Sequence, residues 1–189
     1  MHLGIDYGSK LAGTTAICYQ EGKKLVVVQS EKKKDADKFI KKTVEDLKPT
    51  QIFIDAPLSL PAAYFGSGDD FFYRACDREL KAMSPMFLGG LTARAMKLTR
   101  WLRDDGIDCH ESYPGGFVRD MEELKVNYQK KSMVNTKLIK SLEKVIGSRI
   151  KSVGNYHQID AVLCWYIGKR FISGDAKLIG DKEEGQIII

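Results

Sequence analysis

Two short apolar runs, Leu3-Gly4-Ile5 and Ile52-Phe53-Ile54, each end in an aspartate, Asp6 and Asp55, and the stretch between them permits few connections. After Asp6 a polar, glycine-containing stretch, Tyr7 to Gly13, leads to a β-prone run at Thr14 to Tyr19. The turn Glu21-Gly22-Lys23-Lys24 leads to another at Leu25 to Gln29, which makes a three-stranded meander. From Asp35 to Leu47 the apolar residues Phe39, Ile40, Val44 and Leu47 recur at helical spacing with lysines between them, and Pro49 closes the helix. A helical crossover lets the next strand, Gln51 to Ile54, run parallel to the first. Asp6 and Asp55 are therefore predicted at the carboxyl ends of neighbouring strands, where open α/β sheets hold their ligands.

Further along come a glycine-rich loop (Gly66, Ser67, Gly68), a short helix around Arg74 to Ala82, and a loop at Ser84 to Gly90. A helix from Leu91 to Arg103 follows, with Leu91, Ala95, Leu98 and Leu102 on one face, and Gly106 stops it. Ile107 to Ser112 reads as a strand that passes through Glu111. Gly116 to Leu124 and Ser132 to Ile146 read as helices, and Gln158 to Ile172 as a long, mostly buried closing helix. The predicted architecture is one α/β domain over residues 1–189, with a mixed five-stranded sheet, the meander plus two parallel strands, flanked by helices.

With 189 residues, 43% hydrophobic and 29% charged, the chain can bury one substantial core. No apolar run approaches the ~20 residues that a bilayer requires, and the start lacks a signal peptide's basic and apolar regions, so a soluble cytoplasmic protein without a membrane partner is expected. The four cysteines lack C-x-x-C spacing and should be reduced and mostly buried; Cys76, Cys109, His110 and Cys164 match no zinc pattern. A net charge of +5 favours an anionic partner, and basic residues between Arg119 and Lys151 outnumber the acids there. A solvated helix face explains that run equally well. The oligomeric state stays open, a homodimer included.

The chemistry lies in the acids. Asp6, Asp55 and Glu111 end or interrupt three strands, and Asp160 opens the closing helix with His157 three residues before it on the same face. Carboxylates gathered in one cleft repel one another, and binding Mg²⁺ or Mn²⁺ relieves the repulsion. Two such ions ~3.5–4 Å apart can activate water against a phosphodiester. A single aspartate at a strand end is more often a cap or turn former; four in matching positions point to a metal site. Asp6, Asp55, Glu111 and Asp160 are thus the predicted ligands, and His157 is a ligand, a general base or a helix cap. Arg74 and Arg78 are either a phosphate clamp or pairs for Asp77 and Glu79. Tyr64, Phe65, Phe71, Phe72 and Tyr73 are either a base-stacking lid or loop packing.

The stretches Gly4-Ile5-Asp6-Tyr7-Gly8-Ser9-Lys10, Ile54-Asp55-Ala56-Pro57-Leu58-Ser59-Leu60-Pro61, Ala75-Cys76-Asp77-Arg78-Glu79-Leu80, Glu111-Ser112-Tyr113-Pro114 and Asp160-Ala161 resemble a family of predicted nucleases with the ribonuclease H-like fold. The tail Gly180 to Ile187 is similar too. The opening motif also resembles Holliday-junction-resolvase-like proteins, and His157-x-x-Asp160 resembles the late His/Asp pair of some junction resolvases. The resemblance implies a metal-dependent nuclease acting on DNA or RNA, with Lys10 and Ser59 joining Arg74 and Arg78 as substrate contacts. Two alternatives remain: a catalytically silent nucleic-acid-binding or scaffold protein, and an ATP-dependent phosphotransferase, because Asp6-x-Gly8-Ser9 also opens the sugar-kinase and actin-like folds.

Overall fold

The computed structural model describes residues 1–128 and 134–189. The meander is β1 (His2–Asp6), β2 (Ala16–Glu21) and β3 (Lys24–Gln29). α1 (Ala36–Leu47) is capped by Asp35, whose carboxylate accepts the Asp37 and Lys38 N–H groups at 2.9 and 3.3 Å. β4 (Gln51–Asp55) then pairs parallel to β1 in a register that sets Asp6 opposite Asp55. The connection that follows holds a 3₁₀ turn (Ala62–Phe65) and two short helices, α2 (Ala75–Glu79) and α3 (Pro85–Leu88). α4 (Gly90–Asp104) leads to β5 (Asp108–Ser112), parallel to β4. After it come α5 (Pro114–Asp120), α6 (Glu122–Lys125), α7 (Thr136–Ile146), β6 (Arg149–Lys151), α8 (Tyr156–Ile172), β7 (Leu178–Asp181) and β8 (Gly185–Ile188).

The sheet has eight strands in the order β6-β3-β2-β1-β4-β5-β8-β7, not the expected five. The five expected strands form its centre, with β1 between the meander and the later parallel strands. The three additions gave little periodic signal. β6 is three residues long, too short for its single buried Ile150 to read as alternation, and β7 is almost wholly solvent-facing. β8 pairs with β5 through only two residues, Ile187 and Ile188. The helix expected over Gly116 to Leu124 is split at Met121, whose extended backbone (φ −111, ψ 97) separates α5 from α6. The first residues of the helix expected from Ser132, with Lys130 and Lys131, lie outside the described residues.

Alternation along the strands divides the core in two. Leu3, Ile5, Ile52, Ile54 and Cys109 face α1 and α4, while Phe53 faces the other side, with α5 to α8. α8 is buried almost all round because it lies directly on β1. Gly4 makes that possible: a Cβ there would lie 2.1 Å from the Trp165 nitrogen and 2.4 Å from the Ala161 oxygen. Gly168 does the same for the ring of Phe53, 2.3 Å from where its Cβ would stand. Among the described residues no helix is long and apolar enough to cross a membrane. All four cysteines are buried and unpaired, and burial pushes the Cys76 and Cys109 thiols up to about 12.

Candidate metal centre

Because β1 and β4 are parallel and in register, Asp6 and Asp55 project from one end of the sheet towards the same face, the one covered by α8. The first turn of α8 crosses that end. Asn155 caps it by accepting the Gln158 N–H at 3.1 Å, and its amide donates to Gln29 Oε1 at 2.9 Å, which ties the start of the helix to the end of β3. Asp160 is thereby brought to the strand ends. One carboxylate oxygen from each of Asp6, Asp55 and Asp160 lies within 4.8 Å of the other two. His157, one turn earlier, sets Nδ1 2.7 Å from Asp6 Oδ2.

Asp6 and Asp160 are buried, at 9% and 2% exposure, while Asp55 is half-buried. The Tyr128 hydroxyl donates to Asp160 Oδ1. Burial and then the negative charge of Asp160, Asp55 and Asp6 push the Tyr128 hydroxyl far above the ordinary tyrosine range. The Cys164 thiol is pushed up in the same way, by burial first and then by the same three acids. Three carboxylates so close together, two of them buried, concentrate negative charge at this end of the sheet. An all-oxygen carboxylate set in such a field fits a hard divalent cation.

Glu111 sits elsewhere. It pairs with Ile54 across β4 and β5, and two residues separate it from Cys109, so alternation turns it to the α1/α4 face. There its two oxygens accept from Arg74 Nη1 and Nη2 at 2.7 and 2.6 Å, and Oε2 also takes the Leu58 N–H at 2.9 Å. Burial pushes its carboxyl up, against the pull of Arg74. Glu111 and Asp55 nevertheless line a common cavity of about 200 Å³.

Arg74 is wholly buried, with further hydrogen bonds to Asp77 (2.6 and 3.0 Å) and to the Ser59 hydroxyl (2.8 Å). Both Arg74 and Ser59 are therefore internal fasteners of the loop after β4. Arg78 is exposed, paired with Asp70 and stacked 4.5 Å over Tyr73. Lys10 lies 3.3 Å from Asp35. Tyr64, Phe65, Phe71 and Phe72 are all exposed, with the Tyr64 and Phe71 rings 5.3 Å apart.

No family model matches the chain, and no curated protein matches it. Among solved structures the chain is similar to Thermus thermophilus RuvC in complex with a Holliday junction substrate. The identity is 14% and the TM-score 0.47, over 93% of this chain and 97% of that one. A second Thermus thermophilus RuvC structure gives the same identity and TM-score over 93% and 98% of the two chains.

Sequence reasoning missed Asn155, Gln29, Tyr128 and the enabling role of Gly4. Asn155 alone left a legible signal, as an N-cap residue just before a long apolar helix. The others act through contacts distant in sequence.

Proposed function

We propose that this protein is a divalent-metal-dependent nuclease that hydrolyses phosphodiester bonds in DNA or RNA. The observation that carries the reading is the convergence of Asp6, Asp55 and Asp160 within 4.8 Å in a mostly buried cleft, a cost that a bound cation offsets. Mg²⁺ or Mn²⁺ bound there would activate water and neutralise charge on the scissile phosphate. Asp6, flanked by the other two acids and by His157, is the central holder; Asp55 and Asp160 complete the cradle from β4 and α8. His157, with a side chain 45% exposed, orients Asp6 and can hold a proton beside the reacting phosphate. Glu111 supports the site through Arg74 and the cavity it shares with Asp55.

The test is a Mn²⁺ titration by calorimetry, together with cleavage of single-stranded, duplex, hybrid and four-way-junction substrates. Asp6→Asn should remove both metal binding and cleavage, and His157→Ala should lower metal affinity about 10–100-fold, as loss of an orienting partner does. Undiminished manganese binding in Asp6→Asn would end the metal-site reading. Metal binding without cleavage of any substrate would leave a silent nucleic-acid-binding protein.

A further inference from the structure

On the sheet face opposite the three aspartates, α1 and α4 lie side by side and border an open cavity of about 390 Å³. Its rim carries five cations, Lys10, Lys38, Lys41, Arg94 and Lys97, against two carboxylates, Asp35 and Asp37. Both carboxylates are already engaged. Arg94 Nη2 donates to Asp37 at 2.8 Å and its Nε at 3.2 Å, and Lys10 pairs with Asp35, which also caps α1. Among the described residues no carboxylate pairs with Lys38, Lys41 or Lys97. Lys41 instead holds its ammonium 4.0 Å from the centroid of Trp101, a half-buried ring in the cavity wall.

Three uncompensated ammonium groups around one groove repel one another, and a polyanion is the ligand that relieves this most fully. A cationic groove with an aromatic wall matches the way single strands are held, with phosphates on the cations and bases stacked on the ring. Lys38 and Lys41 are three residues apart on α1, as are Arg94 and Lys97 on α4, so the charges recur about 4.5 Å apart along each helix. A flat lipid surface could not reach a tryptophan recessed between two helices.

The groove is also joined to the strand end that bears Asp6. Tyr7, the next residue, donates its hydroxyl to Asp37 at 2.6 Å, and Arg94 reaches the Gly8 carbonyl at 3.3 Å while stacking 4.8 Å over the Tyr7 ring.

We propose that the α1–α4 groove docks a single-stranded nucleic-acid segment, its phosphates on Lys38, Lys41 and Lys97 and a base against Trp101. The identity of the ligand rests on the nucleic-acid reading above; its binding does not depend on metal or on cleavage.

The experiment is therefore done in EDTA, with a fluorescently labelled single-stranded oligonucleotide and anisotropy read across a salt series. The triple variant K38Q/K41Q/K97Q should bind at least tenfold more weakly, and its slope of log affinity against log salt should shrink by about two, at ~0.7 per lost phosphate contact. The variant K137Q/K140Q/K144Q removes the same charge from α7, on the other face, and should retain most of the affinity. Oligonucleotide should quench tryptophan emission in the wild type and much less in Trp101→Phe. Equal losses in the two triple variants, or unchanged quenching in Trp101→Phe, would overturn the proposal. So would binding to phosphatidylserine vesicles, abolished by the α1–α4 substitutions, with no oligonucleotide bound. Groove binding that persists in a protein unable to cleave would instead sink the nuclease reading and leave the groove standing.

Discussion

Arg74 is the residue whose surroundings most limit what it can do. A guanidinium with no solvent exposure needs every donor matched, and Glu111, Asp77 and Ser59 match them from three parts of the chain. Arg74→Met would strand two buried carboxylates and should cost about 3–5 kcal/mol in urea unfolding. Arg74→Lys should rescue little of it, because an ammonium cannot fork between two carboxylates. The sequence showed a charged residue beside Asp77, but a partner 37 positions away left no mark on local spacing. His110 is a second case. It stacks 5.0 Å from Phe53, and burial pulls it below its ordinary 6.5. The unfolded chain therefore binds this proton more readily than the folded one, so the stability is present above pH 6.5 and is lost as pH falls through the lower folded value. Denaturant midpoints taken from pH 7.5 to 5 should fall in the wild type and fall less in His110→Phe.

At the scale of elements, the contact between β1 and α8 decides whether there is a site. Gly4→Ala would drive a methyl group into the backbone at Trp165, and the helix can only retreat. The expected outcome is a destabilisation of about 1–3 kcal/mol, with manganese affinity falling more than urea stability would suggest, because Asp160 leaves with the helix. Retained affinity in a folded Gly4→Ala protein would show that α8 is not what gathers the acids. Strong periodicity made the central elements legible: α1, α4 and α8 occupy the stretches their apolar spacing marked, and β1 and β4 pair as the crossover rule requires. What stayed hidden was held by partners. β6, β7 and β8 are strands because a neighbour completes them; β6 has only three residues, and β7 and β8 do not alternate. Two of the four acids could be gathered by following strand ends and Asp160 by its place at the start of the closing helix, but Glu111 was grouped with them although it turns to the other face, since the face a side chain takes depends on a register that local sequence does not state.

For the whole molecule, a metal that binds only the assembled site should stabilise the fold by mass action. At manganese about 100 times its dissociation constant the gain is about 2.7 kcal/mol, seen as a rise in melting temperature that EDTA reverses. Asp6→Asn should show no such rise, and without metal it should melt no lower than the wild type, since removing one of three crowded carboxylates relieves repulsion. The two acids on β1 and β4 come from the first third of the chain, whereas the third lies on a helix that starts at Tyr156. A polypeptide emerging from the ribosome thus displays Asp6 and Asp55 long before Asp160 has been translated, and Asp6 meets His157 only across 151 residues. A chain still being synthesised therefore lacks the complete trio of acids, and under the proposed nuclease function any cleavage would be deferred until the late helix has docked.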